Sequence, residues 1–327
     1  MVKLLEAGLA PRTCRPGTRG GRTVKKLVAA AVACGLGSLI AQPAWAEGGS
    51  RLDKIRQTGK IDIGFPDASP PFAFLDGNAK PVGYTLEICE HVARKLKDDL
   101  GLKALEVRYT AVMSATRIPL IGNGTIDLEC GTATNLPERH KLVSFAPTTF
   151  VTQVVLVARK DSAVDVNDLS SFKGKSISAQ AGGQTQRVVV RESAQDKLDI
   201  QVVPAKDTAE AFLLLETCRV AGSANDDALA HATVAGAKQP KDFKIGTKGL
   251  EFAPYGILEP KDDPAFKAAV DKAVVELIRD GTVAGLYRKY FEQPIPPKGI
   301  NLELPMSDVL KRALANPTDS GDEAAYR

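Results

Sequence analysis

"SFAPTTFVTQVVLVARKD", from Ser144 to Asp161, is one long extended run. It is richer in β-branched residues than its neighbours, and such side chains suit a pleated strand. On its N-terminal side strands and helices alternate. "KIDIGF" (Lys60–Phe65) reads as a strand. "YTLEICEHVARKLKDDLG" (Tyr84–Gly101) has apolar residues at helical spacing and stops at a glycine. "LEVRYT" (Leu105–Thr110) alternates like a strand, "SATRIPLIGNG" starts a helix with Ser114 as N-cap, and "IDLEC" is a strand. On the C-terminal side a second series follows: "KSISAQ" strand, "TQRVVVRESAQ" helix, "IQVVPA" strand, "DTAEAFLLLETC" helix, "RVAGSA" strand and "DDALAHATVAG" helix. From Phe243 another extended region leads through "YGILEP" to a long helix, Asp263–Gly281, with Asp263 as cap and Pro264 as first residue, and then to a short helix, "TVAGLYRKYFE". Alternating strands and helices imply an α/β fold with mostly parallel sheets. Two extended crossings, near residues 146–157 and 243–258, imply two lobes joined by two connections, with a ligand in the cleft between them.

The chain has 327 residues, of which 44% are apolar, enough for one large or two ordinary domains with a sizeable core. Its net charge of +4 is carried by the front. Residues 1–46 hold seven basic residues and one acidic, leaving 36 basic against 38 acidic, a net of −2, in the remainder. That body has no general attraction for nucleic acid or anionic lipid. The front reads as a secretory signal, preceded by a stretch (residues 1–21) unlike one. Arg22, Lys25 and Lys26 lead into the apolar "LVAAAVACGLGSLIA", too short for a comfortable span, and cleavage is expected after Ala46. Lipidation at Cys34 is the weaker alternative, because few apolar residues precede it. Beyond the signal, Cys89, Cys130 and Cys218 form no C-x-x-C pair. One disulfide with one thiol left over is open. Three buried small hydrophobes is the preferred reading.

A search for catalysis returns little. H-E-x-x-H, G-x-S-x-G and Walker sequences are absent, and His91 and His231 fall on helices as expected surface residues. Neither a metal site nor a cofactor is expected. Anion-holding features are better represented. Arg139 has a planar fork that takes a carboxylate by two parallel bonds. Thr132 and Thr134, just past the "IDLEC" strand, add hydroxyl and N–H donors, unless they merely cap a turn in "TNLPERH". The "AGGQTQ" turn, with Gln184 and Thr185, offers N–H groups at a helix start, or is an ordinary turn. Of Asp226 and Asp227, one caps a helix and the other is available to an ammonium. On spacing alone, Arg117 is a surface charge. A carboxylate on Arg139, Thr134 and the turn near Thr185, with an ammonium on Asp226, describes an α-amino acid.

These stretches resemble the periplasmic solute-binding proteins of polar amino-acid ABC importers, and look most like the glutamate/aspartate-binding members. The likeness runs from "LDKIRQTGKIDIG" to "PIPPKGINLELPMSDVLK" and is carried by "RIPLIGNGTIDLECGTATNLPERH", "DDALA" and "QPIPPK". "GYTLEI" keeps Gly83, Tyr84 and Glu87 of the family's helix signature but has Thr85 at its acidic position. The resemblance implies a periplasmic binding protein-like fold: two mixed, mostly parallel sheets joined by two hinge strands. Lobe 1 would cover residues 47–148 and 249–327, and lobe 2 residues 149–248. It implies an α-carboxylate clamp on Thr132, Thr134 and Arg139, an ammonium partner at Asp226, and a second-lobe turn with Thr185 and Gln184. Ser114 and Arg117 would read an acidic side chain. Two further members of that reader are missing, replaced by Pro66 and Thr208. A charged hydrogen bond contributes about 1.5–3 kcal/mol, so two losses would weaken glutamate by roughly a hundredfold or more. The implied protein is periplasmic and monomeric, is not an enzyme, and hands an amino acid to a permease and ATPase. Two alternatives remain. One is a cyclohexadienyl dehydratase-like enzyme, for which Glu87, Glu129 or Glu138 would have to supply an acid. The other is a sensor partner. The tail from Asn316 to Arg327 is polar and expected to be disordered.

Overall fold

The computed structural model describes residues 49–326. The expected signal, its cleavage point and Cys34 lie outside the described residues. Helix α1 (Arg51–Thr58) is capped by the Ser50 side chain and ends at Gly59, whose φ of 64° suits a residue without Cβ. Then come β1 (Lys60–Phe65) and a small hairpin sheet of β2 (Ala68–Ser69), β3 (Ala73–Leu75) and β4 (Pro81–Val82). Next are α2 (Tyr84–Asp99), β5 (Glu106–Ala111), α3 (Arg117–Gly122), β6 (Leu128–Glu129) and β7 (Val143–Phe145). The long β8 (Phe150–Arg159) leads into β9 (Ser176–Gln180), α4 (Gln184–Gln195), β10 (Gln201–Ala205), α5 (Thr208–Glu216), β11 (Gly222–Asp226), α6 (Asp227–Ala235) and β12 (Phe243–Ile245). The chain returns through β13 (Phe252–Tyr255), β14 (Leu258–Pro260), α7 (Pro264–Arg279), α8 (Thr282–Phe291) and α9 (Asp308–Ala315).

The result is a two-lobed α/β protein with two mixed sheets. The first has the order β5-β1-β6-β14-β7, with β1 parallel to β5 and β6, and β14 antiparallel to β6 and β7. The second has the order β10-β9-β11-β8-β12, with β9 parallel to β10 and β11, and β8 antiparallel to β11 and β12. The two crossings lie side by side: β8 and β13 pair antiparallel, Phe150 opposite Tyr255 and Gln153 opposite Phe252. An aromatic cluster fixes the root of β8. The Phe150 ring lies 5.0 Å from Phe291 and 4.7 Å from Phe72, and Tyr84 donates its hydroxyl to Thr149 O at 2.7 Å. These rings are buried with α2, α7 and α8 over the first sheet, so the strand that leaves this lobe is rooted in its core.

Several sequence expectations need correction. The helix expected from Ser114 begins at Arg117, after Thr116, and no side chain caps it. A start at Ser114 would put Pro119 in the helix interior, where its missing N–H and its ring break the ladder, whereas the later start leaves Pro119 in the first turn. "IDLEC" pairs as a strand only over Leu128–Glu129. The preferred cysteine reading fails. Cys89 and Cys130 are fully buried and joined in a disulfide with Cα atoms 6.3 Å apart, and Cys218 is exposed. A bridge and a buried thiol carry the same apolar signal in sequence, so only the packing of α2 decides between them. His231 is exposed and His91 half-buried.

The tail is ordered through residue 326 rather than disordered. Tyr326 is 2% exposed and its hydroxyl meets Thr148 Oγ1 at 2.7 Å. Thr148 N–H donates to Thr318 O at 2.8 Å, and Asn135 Nδ2 donates to Asp319 O at 2.7 Å. One aromatic residue at the end of a polar tail supplies enough burial to dock it against the hinge.

Candidate functional site

Two arginines and two carboxylates meet beneath the hinge. Arg117 opens α3 and is only 3% exposed, which corrects its surface reading from spacing. Its Nη1 stands 3.7 Å from Oε1 of Glu129, an ion pair longer than a hydrogen bond. Glu129 ends β6 fully buried. Neither of its oxygens, nor Arg117 Nε, is hydrogen-bonded by a protein group. Burial pushes the Glu129 carboxyl above its ordinary range, against the pull of Arg117 and Arg139.

Arg139 lies in a 3₁₀ turn, Pro137–Lys141, and its Nη1 donates to Thr134 O at 2.8 Å. Burial and the neighbouring Arg117 push the Arg139 guanidinium down to about 9, leaving it cationic at neutral pH. Thr132 is 7% and Thr134 2% exposed. Neither hydroxyl caps the turn, which follows Leu136 with no capping side chain, so the capping alternative for this pair does not hold. Thr134 is instead bridged to Tyr255 of β13.

Asp226 ends β11 and Asp227 opens α6. Asp226 occupies the cap position without capping. Its Oδ2 accepts from the Tyr255 hydroxyl, and its Oδ1 has no protein partner. Burial raises Asp226 to about 7; the Tyr255 bond pulls the other way, Asp227 adds to the rise, and Arg117 and Arg139 also oppose it. Asp227 accepts from Ala228 N–H at 2.6 Å and from the Thr152 hydroxyl on β8, so it is occupied. The choice that sequence left open thus falls on Asp226 as the available carboxylate.

The "AGGQTQ" turn leads into α4 at Gln184, and no side chain caps that helix. Gln184 and Thr185 are 3% and 6% exposed. Gln184 Nε2 donates to Glu251 Oε1 at 2.7 Å and to Phe252 O at 3.0 Å, tying the turn to the returning hinge strand. Ser114, half-buried, lies in the turn before α3; neighbouring Ala115 approaches Gly182, where an added Cβ would stand 3.0 Å from Ala115 Cα. Arg187 of α4 reaches Glu138 beside Arg139 at 3.7 Å. Thr208, at the start of α5, donates to Ala68 O of β2 at 2.9 Å. Elements of the two sheets therefore touch on several sides of the charged cluster.

The structure brings Arg117, Arg139 and Asp226 within electrostatic reach of one another, and places Thr132, Thr134, Gln184 and Thr185 in buried positions on the elements around them. It adds Tyr255, which sequence reading missed because its role depends on the β8–β13 register. It also places Glu129, considered only as a remote acid, directly against Arg117. The arrangement suits a small zwitterion: cationic and hydroxyl donors on one side, and on the other a carboxylate with one unpaired oxygen.

A family model described as "Bacterial extracellular solute-binding proteins, family 3" matches residues 61–293. The chain is 41% identical over 273 residues to an L-glutamate/L-aspartate-binding protein of Pseudomonas aeruginosa, covering 83% of this chain and 90% of that one. It is 33% identical over 293 residues to a glutamate/aspartate import solute-binding protein of Escherichia coli, covering 90% and 96%. Among solved structures, a mutant of ArgBP from T. maritima superposes with a TM-score of 0.66 at 27% identity, over 73% of this chain and 98% of that one. With the family model spanning both sheets and the hinge, the chain belongs to the family 3 bacterial extracellular solute-binding proteins.

Proposed function

We propose that this protein captures a polar L-amino acid, with glutamate and aspartate as the first candidates, and delivers it to the permease and ATPase of an ABC importer. The observation that carries the reading is that Arg139 and Asp226, one from each sheet's side, lie within electrostatic reach, with Asp226 buried and its Oδ1 unpaired. In this reading Arg139, Thr132, Thr134 and the N–H groups near Gln184 and Thr185 take the α-carboxylate. Asp226 takes the ammonium, and Ser114 and Arg117 read the side chain. The names of the Pseudomonas and Escherichia relatives support an acidic ligand. Pro66 and Thr208 still stand where acidic-ligand readers are expected, and Thr208 is engaged with Ala68. The lobes divide at residues 148/149 and 248/249, at the hinge pair. The mature chain is a periplasmic monomer released after Ala46, and it works by binding without catalysis. Ligand contacts made on both sides bias the open–closed equilibrium toward closure.

The test is a thermal-shift panel of ligand-stripped protein with the twenty L-amino acids, followed by calorimetric titration of the hits. A ligand at a hundred times its dissociation constant adds about 2.7 kcal/mol. Arg139→Ala and Asp226→Ala abolish binding of every amino acid, whereas Arg117→Ala changes only which side chain is preferred. Equal loss across all ligands from Arg117→Ala would overturn that division of roles.

A further inference from the structure

We propose that Glu129 sets which side chain Arg117 accepts: an acidic ligand is taken only together with one proton on Glu129, and a carboxamide ligand is taken with Glu129 ionised. This rests on the amino-acid-capture reading above and deepens it.

The geometry is specific. Glu129 is fully buried and neither oxygen is bonded by a protein group, although Arg117 Nη1 lies 3.7 Å away. Pro66 and Gly131 lie beside the carboxyl. A Cβ at Gly131 would stand 2.4 Å from Pro66 Cδ and 2.5 Å from Glu129 Oε1, so only a glycine at 131 leaves the carboxyl its place beside Arg117. The charged groups bearing on Glu129 are Arg117 of α3 and Arg139 of the 3₁₀ turn. Asp226 and Tyr255 act on the same arginines from β11 and β13.

Charge counting then decides. At about pH 8, above the titration of Asp226, the two guanidinium groups of Arg117 and Arg139 and the two carboxylates of Glu129 and Asp226 sum to zero in the empty cluster. A zwitterion with a neutral side chain keeps the sum at zero. Glutamate or aspartate adds one negative charge, and its side-chain carboxylate must share Arg117 with Glu129. Two carboxylates crowded on one guanidinium in a buried site repel, and the titration of one of them rises strongly. Asp226 must keep its charge to hold the ammonium, so the proton goes to Glu129, taken from solvent on binding and returned on release. Protonated Glu129 then donates its O–H to the ligand carboxylate. A carboxamide needs no proton, since its C=O accepts from Arg117 while its NH₂ donates to ionised Glu129. The raised titration of Glu129 favours this uptake.

The experiment is calorimetric titration of ligand-stripped protein with L-glutamate and L-glutamine, in pairs of buffers that differ in ionisation enthalpy, at about pH 6 and about pH 8. The expected result is uptake of about one proton per glutamate bound at the higher pH, with glutamate affinity falling by up to roughly tenfold per pH unit there. Glu129→Gln then binds glutamate without uptake and without that pH dependence. Glutamate binding with no proton taken up overturns the proposal, as does uptake that persists in Glu129→Gln, which would locate the proton elsewhere. The wild-type measurement decides even if the variant misfolds. If no amino acid binds at either pH, the capture reading itself fails, an outcome distinct from binding without a proton.

Discussion

The hydroxyl of Tyr255, on the strand that returns through the hinge, donates to Oδ2 of Asp226 at the end of β11. One bond thus joins the hinge to the carboxylate assigned to the ligand ammonium. It favours the ionised form of a group that burial has raised to about 7. In Tyr255→Phe that support is lost and Asp226 titrates higher. Less of it is ionised at neutral pH, so affinity for every amino acid falls. The expected loss is about tenfold at pH 7, the equivalent of one hydrogen bond to a charged group, and it shrinks toward pH 8. Calorimetry at the two pH values checks this; a loss of the same size at both would mean that Tyr255 acts only by packing.

The Cys89–Cys130 bridge closes a loop with a sequence separation of 41 and ties α2 to the end of β6, next to Glu129. Chain-entropy arithmetic assigns such a loop about 4 kcal/mol. Replacing both cysteines with alanine should lower Tm by roughly 8–15 °C. Because both residues are fully buried, the native protein resists reductant until it unfolds. A scan with and without dithiothreitol, alongside the double variant, measures both effects.

Glu259 on β14 is fully buried with neither oxygen bonded by a protein group. Burial raises its carboxyl well above 4.5, Asp271, Asp319 and Asp263 add to the rise, and Lys267 opposes it. Its folded-state titration lies above that of the unfolded chain. The stability linked to its proton is therefore fully present below about 4.5 and is lost as pH rises through the folded value. Glu259→Gln keeps the neutral form at every pH. Its Tm should match the parent near pH 4 and exceed it by a few degrees near pH 8. A constant difference across that range would show that Glu259 does not titrate with folding.

Tyr326 anchors the tail through Thr148 Oγ1, through a 2.5 Å bond to Ser320 O, and through a ring contact with Phe252 at 5.3 Å. Thr148 precedes β8 and Phe252 opens β13, the two hinge strands. Tyr326→Ala should cost about 2–4 kcal/mol, near the lower range for a buried aromatic, and lower Tm by roughly 5–15 °C. It should also expose residues 316–326 to limited proteolysis. A tail equally resistant in the variant would mean that the backbone bonds from Asn135 and Thr148 suffice.

The order of elements and the two crossings were legible in the sequence, because each depends on local periodicity: apolar spacing in α2 and α7, β-branched density in β8, a proline after Asp263. The group Thr132, Thr134 and Arg139, proposed to take the carboxylate, was legible as a candidate too, since a strand end followed by hydroxyls and an arginine is a local pattern. Only the tertiary structure decided the rest. The β8–β13 register puts Tyr255 on Asp226, the packing of α3 against β6 turns Arg117 from a surface charge into the buried partner of Glu129, and α2 brings Cys89 to Cys130. The tail docks because Tyr326 finds Thr148, more than 170 residues away in sequence. Secondary structure follows from neighbours along the chain. Pairing, burial and the charge state of a carboxylate follow from neighbours in space, and those exist only once both lobes have folded.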